Sequence, residues 1–229
     1  MPKATLILLH GALGSRDQFA ALAPILQDRY DIHALNFEGH GGAALPDRPF
    51  RIEHFVENVQ SYIAEHAIAS AHFFGYSMGG FVACALAKSQ PQLVQSIATL
   101  GTKFHWDAET ATREVALLNP QTIKTKVPKF AQALAERHGA HWETVMLRTQ
   151  DLLWSLAERD GFAPQDATTI QQRVRVMLGD RDATVTLEES CAIYQALPRG
   201  ELEILPATPH PFEKVLPMRL AQSLLDFFG

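Results

Sequence analysis

Gly75-Tyr76-Ser77-Met78-Gly79-Gly80 decides how this chain is read. Ala71-His72-Phe73-Phe74, just before it, is a short apolar run that reads as a buried strand. Phe81 to Ala87, just after it, reads as a helix nearly free of charge. A serine inside Gly-x-Ser-x-Gly, between a strand and a helix, is the pattern of a nucleophile elbow. The turn must be tight enough to strain the backbone of Ser77 and push its hydroxyl outward. Neighbouring chain then comes so close that Gly75 and Gly79 serve by lacking a Cβ. The helix that starts near Met78 aims free N–H groups and a partial positive charge at the same place, which suits a developing oxyanion.

Working outward, strands alternate with helices. Ala4 to Leu9 is a continuous apolar run, as expected of a strand covered on both faces of a parallel sheet. It ends in His10-Gly11-Ala12-Leu13-Gly14-Ser15. Asp17 to Gln27 has helical spacing, with Ser15 as a possible cap. Further strands are expected at Ile32–Phe37, Leu93–Leu100, Arg173–Leu178 and Glu201–Leu205. Helices are expected at Ile52–His66, around Leu187–Leu197, and from Pro217 onward. This alternation predicts an α/β fold with a mostly parallel, doubly wound sheet. Functional groups then belong on loops at the carboxyl ends of the strands. Between Thr102 and Ile170 the pattern changes to helices alone, near Ala108–Leu118, Pro128–Arg137 and Trp142–Arg159. The expected organisation is a core formed by residues 1–101 and 171–229, with residues 102–170 as a helical cap.

A serine hydroxyl needs a base, and an imidazole base needs a carboxylate to fix its tautomer. His210, held between Pro209 and Pro211 after the last strand, is the candidate base. Asp180 and Asp182 both follow the strand before it. Asp182 is preferred, because Asp180 lies in the tight Gly179-Asp180 turn and is suited to capping it.

The order Ser…Asp…His, the elbow, and His10-Gly11 after the first strand resemble the α/β-hydrolase family. The resemblance runs from Leu6 to Phe228, with the inserted segment similar only as a generic helical cap. It implies a catalytic acid three residues before Val185, at Asp182. It also implies an oxyanion hole formed by the backbone N–H groups of Met78 and Ala12. Two departures stand out. Thr208-Pro209 precedes the histidine where many relatives have glycine, and Asn36-Phe37-Glu38-Gly39 replaces an Asp-x-Arg-Gly run, removing a familiar Asp–Arg pair. The implied activity is cofactor-free hydrolysis of a small to medium carboxylic ester. The same apparatus in the family also supports carbon–carbon bond hydrolysis, a lyase step of menaquinone synthesis, and ligand-sensing receptors.

Other residues remain candidates. His10 could line the pocket or hold its own turn. Trp106 and Trp154 could line an apolar pocket or hold the cap together, as could Trp142. Arg113, Lys124, Lys126, Lys129, Arg137, Arg148 and Arg159 could meet an anionic substrate or form wet helix faces. His138 and His141 flank Gly139-Ala140 in a helix-to-helix turn and read as solvent-exposed rather than metal-binding. His72 reads as a packed core residue. Cys84 and Cys191, the only cysteines, read as buried free thiols. A net charge of −5 with a pI near 6.0 gives no general attraction to nucleic acid or anionic membranes. Ala4 to Leu9 is too short for a signal-peptide core and no apolar run approaches a membrane span. A cytoplasmic protein acting on a small molecule, with no metal and no cofactor, is the expectation.

Overall fold

The structure is a computed structural model that describes residues 3–229; the side chains of Arg159 and Asp160, and residues 1–2, lie outside the described set. Six strands form the frame: β1 (Ala4–Leu9), β2 (Tyr30–Ala34), β3 (Ala71–Tyr76), β4 (Val94–Leu100), β5 (Arg173–Arg181) and β6 (Gly200–Pro209). They pair in the order β2-β1-β3-β4-β5-β6, and every pairing is parallel. The period-two alternation of strands sorts the core into two layers. Ile7, Leu9, Phe73, Ile97 and Val176 face one side, where α2 (Ile52–Glu65), α3 (Met78–Ser89) and α9 (Leu187–Ala196) cover them. Leu6, Leu8, Phe74, Ala98 and Met177 face the other, under α1 (Ala23–Leu26) and α10 (Pro217–Phe228). Helices on both faces satisfy both sides of each strand, which explains why β1 and β3 read as unbroken apolar runs.

The order also fixes where a site can form. The chain winds from β1 to β2 in one direction, then returns to place β3 on the other side of β1. The carboxyl ends of β1 and β3 therefore diverge into a crevice, the usual place for a ligand in an open parallel sheet. His10-Gly11-Ala12 leaves β1 there, and Ser77 leaves β3.

Two expectations about local structure are corrected. Asp17–Gln27 is not one helix: a 3₁₀ turn (Arg16–Phe19) precedes the four-residue α1, and the Ser15 side chain does not cap it. Pro24 has no N–H and can sit only in a first turn, so α1 starts afresh around it. Between β4 and β5 lie more helices than the sequence spacing suggested: α4 (Ala108–Ala116), α5 (Pro120–Lys126), α6 (Pro128–His138), α7 (Trp142–Ser155) and α8 (Pro164–Ala167). The unforeseen α5 is begun by Asn119, whose side-chain oxygen accepts from the Thr122 N–H at 2.8 Å, with Pro120 at the first helical position. Trp142, Val145, Met146 and Leu152 of α7 join the same buried cluster as α2 and α3, so these helices pack onto the sheet domain. No helix among the described residues is long and apolar enough to cross a membrane.

The elbow is the most closely packed point of the frame. A Cβ on Gly79 would overlap the Leu9 backbone, and one on Gly75 would overlap the Gly79 backbone. Neither obstacle is a flexible side chain that could swing aside. Gly79→Ala is therefore expected to cost on the order of 3 kcal/mol of stability or more, read from the urea unfolding midpoint. A wild-type midpoint would show that β1 and α3 can separate freely.

Candidate active site

Ser77 is held in a backbone conformation with φ 51° and ψ −118°, a region that a residue with a side chain rarely occupies. Its N–H donates to Leu100 O at 2.8 Å, and its carbonyl accepts from the Thr102 hydroxyl at 3.0 Å. The strain is thus held in place from β4. Ser77 Oγ lies 3.4 Å from His210 Nε2, and His210 Nδ1 lies 2.8 Å from Asp182 Oδ2. The second oxygen of Asp182 accepts the backbone N–H groups of Thr184 at 2.8 Å and Val185 at 2.9 Å. The carboxylate is almost wholly buried, with 3% of its side chain exposed. Its position is therefore set by the loop and not by solvent.

Asp180 is placed elsewhere. It accepts the Thr208 N–H at 3.0 Å and so pins the loop that carries His210, in keeping with a turn-capping residue. The backbone amides of Ala207 and Thr208 hold its carboxyl below the usual range.

Ala12 and Met78 both line a cavity of about 230 Å3 over Ser77. Met78 is the first residue of α3, where a helix N–H has no intrahelical partner. Apolar Phe81, Leu118, Leu152 and Leu156 form much of the remaining wall, with Ile52 and Trp106. The helices between β4 and β5 thus roof the cavity.

The other pocket candidates divide between the cavity wall and the frame. His10 does not line the cavity. It is fully buried, its Nδ1–H donates to Gly11 O at 2.8 Å, and its Nε2 accepts from the Phe37 N–H at 3.2 Å. With both nitrogens used, the ring braces the turn after β1 against the segment after β2. Burial lowers its pKa to about 3. Trp154 also stays off the cavity wall and is 37% exposed on the outer side of α7. Trp106 lines the cavity, with its indole N–H fixed on Lys103 O at 3.1 Å. Trp142 is buried in the core, with Lys124 over its ring at 5.6 Å.

His138 is buried rather than solvent-exposed, with 3% exposure, while His141 is exposed. Its Nε2–H donates to Leu13 O at 3.0 Å and its Nδ1 accepts from the Gly41 N–H at 3.1 Å. Arg137 Nη1 donates to the same Leu13 carbonyl at 2.7 Å. Leu13 has a positive φ of 56°, so α6 clamps a strained turn one residue after Ala12. Arg148 likewise donates to Arg48 O at 2.8 Å and to Pro46 O. Arg137 and Arg148 therefore tie the helical segment to the loops below it. The lost Asp–Arg pair has a substitute: Glu38 accepts from Arg48 Nε at 2.9 Å, from Arg48 Nη2, and from Asn58 at 3.0 Å.

Sequence reasoning missed five residues around Ser77, His210 and Asp182. Tyr76 donates its hydroxyl to His210 O at 2.9 Å and packs on that ring. Gly101, with φ 60°, passes so close to Asp182 and His210 that a Cβ there would press on both. Thr102 holds the Ser77 carbonyl. Lys103 and Glu189 form a buried ion pair at 3.0 Å beside the cavity. Only Gly101 and Tyr76 carried a signal, one closing a strand and the other inside the elbow. Cys84 is buried and its thiol pushed up to about 12, whereas Cys191 is half-buried, not buried as expected. Among the described residues no His, Cys, Asp and Glu side chains gather in a group able to hold a metal.

The chain matches the alpha/beta hydrolase fold family over residues 4–174. It is 33% identical over 124 residues to a dihydrolipoyllysine-residue acetyltransferase component of the acetoin cleaving system of Cupriavidus necator, covering 54% of this chain and 33% of that protein. It therefore spans a third of that relative's length. An sn-1-specific diacylglycerol lipase of Danio rerio is 23% identical over 252 residues, covering 97% of this chain and 77% of the lipase. Among solved structures, a bacterial membrane phospholipase A superposes with a TM-score of 0.83 at 21% identity, covering 99% of this chain and 78% of that one. A serine strained at the end of β3, in a parallel sheet whose winding reverses beside it, accords with that match, and the chain belongs to the alpha/beta hydrolase family.

Proposed function

We propose that the chain is a serine hydrolase that cleaves a carboxylic ester through an acyl-enzyme. The observation that carries this reading is the line Ser77 Oγ, His210 Nε2, His210 Nδ1, Asp182 Oδ2, at 3.4 and 2.8 Å, below a mostly apolar cavity. Ser77 Oγ attacks the ester carbonyl while His210 Nε2 takes its proton. Asp182 keeps the Nδ1 proton in place and stabilises the imidazolium. The N–H groups of Ala12 and Met78 receive the oxyanion, where each such donor contributes about 2.7–4 kcal/mol to the transition state. His210 then returns the proton to the departing alkoxide, and water releases the acyl group by the same steps in reverse. The relative named as a diacylglycerol lipase supports ester chemistry in this family. Carbon–carbon hydrolysis or lyase chemistry on a dicarboxylate is supported less. The cationic side chain among the described residues of the cavity wall, Lys103, is already committed to Glu189 Oε2 at 3.0 Å and Thr184 O at 3.2 Å.

A small fluorophosphonate tests for an activated serine without any choice of substrate. The intact mass is expected to gain one adduct on the wild-type chain and none on Ser77→Ala. An unmodified wild-type chain would overturn the hydrolase reading and favour a ligand-binding role for the same cavity.

A further inference from the structure

Gly11 to Gly14 form a tight turn after β1, closed by the Gly14 N–H on Gly11 O at 3.0 Å. Ala12 and Leu13 are its two central residues, and both line the cavity over Ser77. Turns with a positive φ at the third position ordinarily place glycine or asparagine there. This one places Leu13, at φ 56°. A residue with a Cβ keeps such a conformation only where its surroundings over-determine it. One end of the turn is held by the frame and the other by the inserted helices. Gly11 O accepts from His10 Nδ1 as well as from Gly14. Leu13 O accepts from Arg137 Nη1 at 2.7 Å and from His138 Nε2 at 3.0 Å, both at the end of α6.

The end of α6 is itself fixed. The Gly41 N–H donates to His138 Nδ1 at 3.1 Å, so the neutral ring carries its proton on Nε2, where it meets Leu13 O. The Gly41 carbonyl is held in turn by Asn36 Nδ2 at 2.9 Å. Arg137 spreads its guanidinium over two acceptors, with Nη1 on Leu13 O and Nη2 on Glu213 Oε1 at 3.4 Å. Glu213 lies three residues after His210. One side chain from α6 thus touches both the turn that carries Ala12 and the segment that follows the base. Neither Arg137 nor His138 belongs to the wall of the cavity over Ser77, so both act through the turn and not on a substrate.

We infer that Arg137 and His138 are positioning residues for the oxyanion: by pinning Leu13 O they keep the Ala12 N–H aimed at the ester oxygen. Ester hydrolysis then requires α6 to be docked on the turn after β1. The inference rests on the hydrolase reading and adds to it the device that assembles the site. Loss of the clamp leaves the apolar wall, and hence substrate binding, as it was. What is lost is the alignment of a donor that matters most when charge develops on the carbonyl oxygen.

Arg137→Met removes both bonds of the guanidinium and keeps an apolar stem, at a side chain that is 24% exposed. With p-nitrophenyl acetate it is expected to lower kcat about 10- to 100-fold, the order produced by misplacing a reacting group, and to leave KM within about twofold. Arg137→Lys, which can still donate to Leu13 O, is expected to recover most of the loss. His138→Phe keeps a ring against His40, removes both of its bonds, and is expected to show the same signature as Arg137→Met. Rates are counted per serine labelled by fluorophosphonate, so unfolded chain does not enter kcat. A butyl trifluoromethyl ketone separates this role from a purely structural one. It becomes an oxyanion when Ser77 adds to it, whereas the secondary alcohol of the same shape does not. Each variant is expected to weaken inhibition by the ketone about as much as it lowers kcat, and to leave inhibition by the alcohol unchanged. A kcat that neither Arg137→Met nor His138→Phe lowers, or a ketone affinity that moves no more than that of the alcohol, would overturn the inference while labelling still upheld the hydrolase. Absence of labelling on the wild-type chain would remove both.

Discussion

Asp182→Asn is expected to lower kcat/KM by about 10⁴-fold, and Asp180→Asn to change it by less than about threefold. The contrast follows from what each carboxylate touches. Asp182 Oδ1 accepts two backbone N–H groups, from Thr184 and Val185, and Oδ2 faces His210 Nδ1 at 2.8 Å. In the asparagine variant the amide oxygen must stay with the two N–H donors, because an NH₂ group cannot accept from them. The NH₂ then faces Nδ1 and turns it into an acceptor. A neutral imidazole that accepts at Nδ1 carries its proton on Nε2. Such a ring cannot take the proton of Ser77, so the variant keeps its geometry and loses its base. A factor of 10⁴ corresponds to about 5.5 kcal/mol of barrier. Asp180 offers no such lever. It accepts the Thr208 N–H through one oxygen, and an asparagine oxygen can do the same. Rates with an activated ester decide the matter. Full activity in Asp182→Asn with loss in Asp180→Asn would reassign the acid.

The frame was readable because strands covered on both faces leave little freedom in composition. Leu6-Ile7-Leu8-Leu9 and Phe73-Phe74 announce themselves, and the loops that carry Ser15, Ser77, Asp182 and His210 fall at strand ends once strands alternate with helices. The spacing of Asp182 before Val185 and the Pro-His-Pro loop carried the reading past residue 174, where the family match ends. Packing between the inserted helices and the sheet was not readable. Amphipathic spacing tells which face of α6 is apolar, yet not that His138 turns inward to reach Leu13 and Gly41. The Gly139-Ala140 pair beside it signals a turn, and turns usually lie on the surface. Trp154 misled for the complementary reason. It is large and apolar, but α7 buries Trp142, Val145 and Leu152 and leaves Trp154 outside. Lys103 and Glu189 lie far apart in sequence, and nothing local to either predicts that they pair.

The cluster that the sequence hid should govern the response to acid. His10, His40 and His138 stand ring to ring, with centroids 5.2 and 5.5 Å apart, and all three are buried. Each has a reason to stay neutral. His10 and His138 each accept a backbone N–H on one nitrogen, so a proton there would break that bond. His40 Nδ1–H donates to Glu38 O, and its Nε2 has no partner among the described residues, so a proton there would be buried without an acceptor. Arg137 adds a positive charge nearby. Burial, with these contacts, lowers the pKa of His10 to about 3 and of His138 to about 4, and holds His40 well below its ordinary value. An unfolded chain protonates the same rings near pH 6.5. Below that pH the unfolded state binds protons that the folded state refuses, so stability falls as pH falls, and it is fully present above 6.5. From pH 7 to pH 5 the loss is about 2 kcal/mol per histidine, about 4–6 kcal/mol for the cluster. That is comparable with the whole stability of a typical domain. Glu38, Asp166 and Glu201, whose carboxyls are held low by Arg48, Lys88, and Arg173 with Arg175, act in the same direction but only as pH drops below about 4.5. Urea unfolding at pH 7, 6 and 5 reads the slope in the window where histidine alone titrates. His72, whose pKa is also lowered by burial, adds to that slope, so His40→Phe, which keeps the ring contact with Phe50 and removes one titrating group, is expected to make it shallower by about a quarter to a third, whatever it does to stability at pH 7. A midpoint independent of pH between 7 and 5 in the wild-type chain would mean that the cluster is hydrated and charged in the folded state.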